Sequence, residues 1–335
     1  MTASLLVFVP IALLGLIAAF CFVGCSLPVS GLPADKFLTY SDSDVIGNKF
    51  CVAYWPLGEP EPDPATGDSI APDVVGKNHG TYKSVDINAG KYHALFPCPD
   101  FDLGGGLHSA LAPGTLTTGA PGIVQGDTVP PHDPDNFTLT KATQVNGGFV
   151  EVPFGPFSNV INRDAPFTIE AWVRPEWDLA ATPALRVFID SRGIVDGVVH
   201  GYALLVNAAG SWEAAFSVAG PVPTVLVTAG PASLTVPTHV VLTFDGNNAA
   251  LFINGAQSLP PTSLQGSTFT PNTTSSLVIG VGLPWLSPRM NPGDNLFFPL
   301  LPFKGKIQDV AIYSVVLDPV TIMNHAQHGQ GNVTG

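Results

Sequence analysis

Charge is scarce in this sequence, and positive charge scarcest: 12% of its 335 residues are charged, and 26 acidic residues stand against 13 basic ones. No run of Lys and Arg is present to neutralise phosphates, which excludes a nucleic-acid surface built on counterion release. Several enzyme signatures are missing too. There is no nucleophile elbow of the G-x-S-x-G type, no phosphate-binding loop and no dinucleotide fingerprint. Cysteine is limited to four residues, Cys21, Cys25, Cys51 and Cys98.

Glycine and proline are plentiful, at 35 and 33 residues, which favours short strands and many turns over helices. The length allows one large β-domain or two smaller ones. Residues 4–24, SLLVFVPIALLGLIAAFCFVG, carry no charge. As a helix these roughly 21 residues would span about 31 Å, the thickness of a bilayer core. The segment reads as membrane-directed. Phe22-Val23-Gly24-Cys25 is similar to a bacterial lipoprotein cleavage site, with Cys25 as the lipidated residue. The absence of Lys and Arg before it is equally compatible with an uncleaved signal anchor. Either fate tethers the rest of the chain to a membrane, and the first basic residue downstream, Lys36, lies among Asp35, Asp42 and Asp44, as expected of an exported side. Cys51 and Cys98 are then available for a disulfide closing about 48 residues, worth roughly 3–4 kcal/mol. Two buried thiols are the alternative.

The chain is organised around residues 147–177, which read as two strands joined by a polar turn. In FTIEAWVRP, Phe167, Ile169, Ala171 and Val173 alternate with Thr168, Glu170, Trp172 and Arg174, giving one apolar and one amphipathic face. FVEVPF followed by FTIEAWVRP resembles the laminin-G-like, concanavalin A-like jelly roll. The resemblance extends to THVVLTFDGNNAALFINGAQ (238–257), LVIG (277–280) and FKGKIQDVAIYSVVLDPVTI (303–322), in the family's order. KFCVAYWPL (49–57) is similar to its opening strand and DVVGKNHGTYK (73–83) to its first loop. The resemblance covers about residues 49–96 and 148–325. It implies an all-β, two-sheet antiparallel sandwich, and it says little about function, because the fold hosts many roles.

The expected layout is a signal or anchor segment over 1–25, a stalk over 26–47, a jelly roll over 48–329 and a tail over 330–335. Insertions break the pattern at about 97–148 and 283–302. The second, LPWLSPRMNPGDNLFFPLLP, is too apolar for a freely solvated loop and either folds back on a sheet edge or forms a contact patch. Asp318, Pro319 and Gly329 mark the N-cap, first position and end of one short surface helix. Asp245-Gly246-Asn247-Asn248 marks a hairpin turn.

Glycoside hydrolases of this fold carry an E-x-D-x-x-E strand that sets two carboxylates about 5 Å apart, and no such motif occurs. Glu170 stands alone and reads as a structural hydrogen-bonding residue. A hydrolase would need carboxylates from distant strands, such as Glu170, Asp190 and Glu213. His325 and His328 read as solvent-facing rather than metal ligands. The resemblance implies a calcium ion held by Asp73, Asn78 and Asp309, since Ca²⁺ takes six to eight oxygen ligands; the competing reading of Asp73 and Asn78 is turn hydrogen bonding. Trp177 and Trp285 adjoin turns, where an aromatic face could stack on a sugar. Trp55, Trp172 and Trp212 read as packing residues. Asn136, Asn272 and Asn332 stand in N-x-T triplets.

These readings point to a membrane-tethered, extracytoplasmic module of a bacterial cell envelope, non-catalytic, binding a glycan or a protein surface and assisted by Ca²⁺. A self-associating structural component is the first rival and a glycoside hydrolase the second.

Overall fold

The computed structural model describes residues 40–58, 70–84, 115–127, 141–146, 148–155, 164–177, 186–196, 198–219, 224–233, 236–264, 266–282 and 303–332. Cys25, Cys98, Asn136, Trp285 and residues 1–39 and 283–302, with the expectations placed on them, lie outside this set. No helix among the described residues is long and apolar enough to cross a membrane.

Two antiparallel sheets of nine strands face each other. In the first, the order is β16 (Ala256–Gln257), β15 (Asn248–Ile253), β14 (Thr238–Phe244), β7 (Phe167–Pro175), β20 (Lys304–Tyr313), β5 (Lys141–Asn146) and β4 (Thr115–Pro121). β1 (Cys51–Trp55) also pairs with β20, and β17 (Thr262–Ser263) with β15. The second runs β13 (Thr224–Pro231), β12 (Ser211–Ala219), β11 (Tyr202–Val206), β8 (Arg186–Asp190), β19 (Leu277–Ile279), β6 (Gly148–Val152), β3 (Gly80–Ser84) and β2 (Ile70–Ala71), with β18 (Thr268–Phe269) on β12. A separate hairpin joins β9 (Gly193–Val195) to β10 (Val198–His200). This is the expected two-sheet sandwich.

The inward faces follow the alternation read from β7. Phe167, Ile169, Ala171 and Val173 enter the main core with Val240 and Leu242 of β14 and with Trp212, Ala214 and Phe216 of β12. Phe167, Phe216, Phe244 and Phe269 form one aromatic cluster, Phe216 lying 5.5 Å from Phe244 and 5.6 Å from Phe269. Each such ring contributes roughly 1.5–3 kcal/mol through burial. The two strands of the organising stretch belong to different sheets, β6 to the second and β7 to the first. Residues 115–127 and 141–146, within the first expected insertion, supply β4 and β5 at one edge of the first sheet.

The amphipathic face of β7 is buried as well. Helix α1 (Pro319–Gly329) and the six-residue helical turn Ser41–Ile46 cover the outer side of the first sheet. Asp318 caps α1 as expected, its Oδ1 accepting from Val320 N and Thr321 N. Tyr40, Val45, Trp172, Val241, Phe252, Tyr313, Leu317 and Ile322 make a second apolar cluster there. The packed unit therefore starts by Tyr40, inside the stretch that composition marks as stalk. Tyr40 and Val45 are fully buried, and burial on that scale is incompatible with a solvated linker.

Candidate functional site

Asp73 and Asn78 share one turn. Asp73 Oδ1 accepts from the backbone N–H of Tyr54, Val75 and Gly76 at 2.9, 3.2 and 2.8 Å. Its Oδ2 accepts from Asn78 N and Nδ2 at 3.0 and 3.3 Å. Five donors fill the lone pairs of this carboxylate, so it serves as a turn organiser and offers no free oxygen to a cation. Asp309 belongs to a different cluster. It sits at φ 51° where β20 slips register against β7, accepting from Tyr54 Oη at 2.6 Å and from Gln308 Nε2 at 3.2 Å. Burial, and then the charge and hydrogen bond of Asp127, push its pKa well above the ordinary carboxylate value. Burial beside Asp127 therefore disfavours the ionised form of Asp309 that a calcium site needs. The three residues expected to bind Ca²⁺ do not fit the ion, and among the described residues no group of three or more His, Cys, Asp or Glu could hold a metal.

Glu170 is the centre of the outer cluster and is fully buried. Tyr40 Oη donates to its Oε1 at 3.1 Å, and Tyr313 Oη donates to the same oxygen. His239 Nε2 lies 3.1 Å and His325 Nδ1 3.0 Å from Oε2. Burial pushes the carboxyl pKa up, but the charge of His325 and the hydrogen bonds of both histidines outweigh this and hold it well below the usual range. In return, Glu170 holds His325 above its ordinary 6.5 against the opposing effect of burial. Glu170 is thus an ionised structural hub, as its isolation from any catalytic motif suggested. The expectation of solvent-facing histidines is corrected. His325 is buried on α1 with Ile322, Ala326 and Gly329, and His328 Nδ1 pairs with Asp44. The i, i+3, i+4, i+7 spacing of those four α1 residues was the available signal, and it places a histidine in the apolar stripe. His239 was equally signalled by sharing a β14 face with Val241, whose cross-strand partner is Glu170.

Trp177 is buried in the main core, edge-on to Phe303 at 5.3 Å and with the Arg186 guanidinium 5.1 Å from its ring centroid. It leaves no open face for a sugar, because the strand end turns its ring inward. Trp285 lies outside the described residues. Cys51 is a buried free thiol whose Sγ–H donates to the Ala53 carbonyl at 3.5 Å; the expected partner, Cys98, is outside the described set. Asn272 is buried, its amide tied to Ser275 O and to the N–H groups of Thr274 and Ser275, so this N-x-T triplet is inaccessible.

On the outer side of the second sheet most side chains are buried, and the exposed ones lie at the β13 edge. Cross-strand pairing aligns one row over it: Leu226, Ala215, Ala203, Asp190, Val278, Glu151 and Thr81. A second row runs Thr228, Glu213, Leu205 and Val187. Cross-strand partners share a face; Val187, Ala203, Leu205, Ala215, Asp190 and Val278 on it are fully buried, and Leu226 and Thr228 of β13 are exposed. At one side Glu151 pairs with Lys83 and accepts from Ser276 Oγ at 2.9 Å. At the other, Glu213 accepts from Asn207 Nδ2 at 3.0 Å and Thr228 Oγ1 at 3.3 Å. Asp190 is held by Arg192 through Nε at 2.9 Å and Nη2 at 2.8 Å.

A family profile described as the concanavalin A-like lectin/glucanases superfamily matches residues 146–323. The chain belongs to this family. Members of this laminin-G-like, concanavalin A-like superfamily share the sandwich just described. Among solved structures, the chain is similar to the binding domain of Paraclostridial Mosquitocidal Protein 1, at 14% identity and TM-score 0.41, over 56% of this chain and 43% of that one. Trypanosoma rangeli sialidase in complex with sialic acid gives 14% identity and TM-score 0.46, over 86% and 34%. A botulinum neurotoxin type C structure, described as entering cells through two ganglioside molecules, gives 14% and 0.38, over 55% and 40%. The chain thus spans less than half the length of each of these chains. No curated protein sequence matches it.

The superfamily includes glucanases by its description, which makes the carboxylates decisive. Glu170 lies on the outer side of the first sheet, whereas Asp190 and Glu213 lie on the outer side of the second. Two sheets packed about 10 Å apart separate them, beyond the roughly 5–9.5 Å that a pair of glycosidase carboxylates requires. This trio is not brought together.

Proposed function

We propose that this protein is a non-catalytic binding module of the cell envelope, tethered by its N-terminal segment, that takes a glycan or a protein surface at the exposed β13 edge of the second sheet. The observation that carries this reading is the exposed edge of β13, where Leu226 stands beside Thr228, whose hydroxyl donates to Glu213. An exposed apolar side chain beside hydrogen-bonding groups suits the amphipathic face of a pyranose, whose C–H surface and hydroxyl rim need both. The distribution of carboxylates supports a role without hydrolysis, since Glu170 is enclosed and Asp190 is bound by Arg192.

The test is glycan-array binding of the full chain in detergent, with calcium and with chelator. Binding should survive chelation, because Asp73 is saturated with N–H donors, and should be lost in Leu226→Asp, which places a charge on that edge. Silence on the array for the folded wild-type chain would move the ligand to the protein class. Binding that Leu226→Asp leaves intact would remove this edge from the reading.

A further inference from the structure

Four large apolar side chains are exposed on the segments that border the cluster under α1: Ile46 at 46%, Phe50 at 39%, Val316 at 40% and Val320 at 69%. Their chain neighbours Val45, Cys51, Leu317 and, two positions on, Ile322 all pack in the single cluster under α1. Phe50 and Val316 are further linked by the ladder, since Ser314 N donates to Phe50 O at 2.9 Å next to the β1–β20 pairing. The Lys49 ammonium lies 4.9 Å from the Phe50 ring centroid. The segments that carry the four residues border that one cluster, with Lys49 beside Phe50 and the exposed Asp318 carboxylate between Val316 and Val320.

The chain enters the domain at Tyr40, against the His328 end of α1. Tyr40 to Val45 are fixed to the body by Tyr40 on Glu170, by Ser41 N and Oγ on Asp127 Oδ1 at 2.8 and 3.0 Å, and by Asp44 on His328. Between the uncharged stretch ending at Gly24 and Tyr40 lie about fifteen residues, which reach at most about 50 Å when extended. A surface held that near a bilayer experiences it at high effective concentration, so a weak apolar contact suffices.

We propose that the rim formed by Ile46, Phe50, Val316 and Val320 rests on the bilayer that holds the N-terminal segment, with Lys49 at headgroup level. This inference rests on the tethered reading above. Seated this way, the domain has one fixed orientation on its membrane instead of tumbling on a tether. Scattered apolar residues are ordinary on a protein surface, but four bordering one cluster, within reach of a short tether, form a lipid-facing edge.

The experiment uses the full chain reconstituted in vesicles whose lipids carry brominated acyl chains, comparing Phe50→Trp with Val198→Trp on the distant β9–β10 hairpin. Carbonate-resistant flotation is measured on the same samples. Phe50→Trp should lose emission relative to unbrominated vesicles, beyond the parent's loss, while Val198→Trp should not. Flotation with no extra loss at residue 50 would overturn the rim proposal and leave the tether intact. Loss of flotation would overturn both. An emission blue shift at residue 50 that depends on protein density and not on bromine would assign the rim to a second copy, and would overturn the lipid contact.

Discussion

His325 reaches from helix α1 to Glu170 on β7, its Nδ1 3.0 Å from Oε2, and so ties the last helix to the central strand of the first sheet. The pair sets a pH window. Glu170, lowered in the folded state, stabilises the protein above the ordinary 4.5 and loses that contribution only as pH falls far below it. His325, raised in the folded state, contributes fully below 6.5 and loses its contribution as pH rises through its elevated value. Urea unfolding from pH 5 to 9 should therefore show a decline above pH 6.5, on the order of 1 kcal/mol, that His325→Asn abolishes. An identical slope in the variant would detach His325 from the effect. Glu170→Gln, which leaves buried partners unsatisfied, should cost about 3–5 kcal/mol.

The Asp127–Asp309 pair bends stability the same way from a lower pH. Asp309, raised first by burial and then by Asp127, contributes fully below 3.8 and loses that contribution as pH rises through its elevated value. Asp309→Asn removes the titration while keeping an acceptor for Tyr54, and Asn tolerates the local φ of 51°. The variant should gain stability relative to wild type as pH climbs above about 4, by roughly 1 kcal/mol at neutrality. A difference independent of pH would mean that Asp309 does not titrate above its ordinary range.

The contrast between these clusters and the core explains what the sequence disclosed. The inward face of β7, the Asp245 hairpin turn and the Asp318 cap are local patterns, carried by neighbours within a few residues, and all three appear where alternation and capping chemistry place them. The enclosure of Glu170 depends on residues 69, 130, 143 and 155 positions away. No local period encodes such meetings. They follow from strand order, which brings β14 and β20 to either side of β7, and from α1 folding back over all three. Of the three residues that the resemblance implied for calcium, Asp309 is held apart from Asp73 and Asn78 for a related reason. Asp73 and Asp309 are spaced as the family resemblance implied, but the acceptors are already filled by Tyr54 from two directions, its N–H on one and its hydroxyl on the other.

Gly329 closes α1 directly over Trp172. A Cβ there would stand 2.2 Å from Trp172 Cζ2 and 2.8 Å from Cε2, and the indole, stacked 5.0 Å from the His239 ring, has no room to retreat. Gly329→Ala should raise helix propensity yet lower stability by about 1–3 kcal/mol through overpacking. Thermal unfolding checks the sign, and amide exchange should show the last turn of α1 opening first. A neutral or stabilising effect would mean that the helix end is not seated on the tryptophan.

Cys51 provides an independent reading of how closed the outer cluster is. Burial, followed by the nearby charges of Glu170 and Asp73, pushes its thiol up to about 12, so at pH 8 almost none of it is the reactive thiolate. Alkylation by iodoacetamide at pH 8 without reductant, followed by mass mapping, should leave Cys51 unmodified in the native chain and label it once guanidinium unfolds the domain. Labelling at the native stage would show that residues 40–46 and α1 open readily over the strand. Failure to label even when unfolded, with label appearing only after reduction, would show a bridge to Cys98 in place of the free thiol. Exchange of the Tyr40–Glu170 contact for water would speed native labelling, so Tyr40→Phe, which removes that hydrogen bond at nearly constant volume, should accelerate it while wild type stays protected.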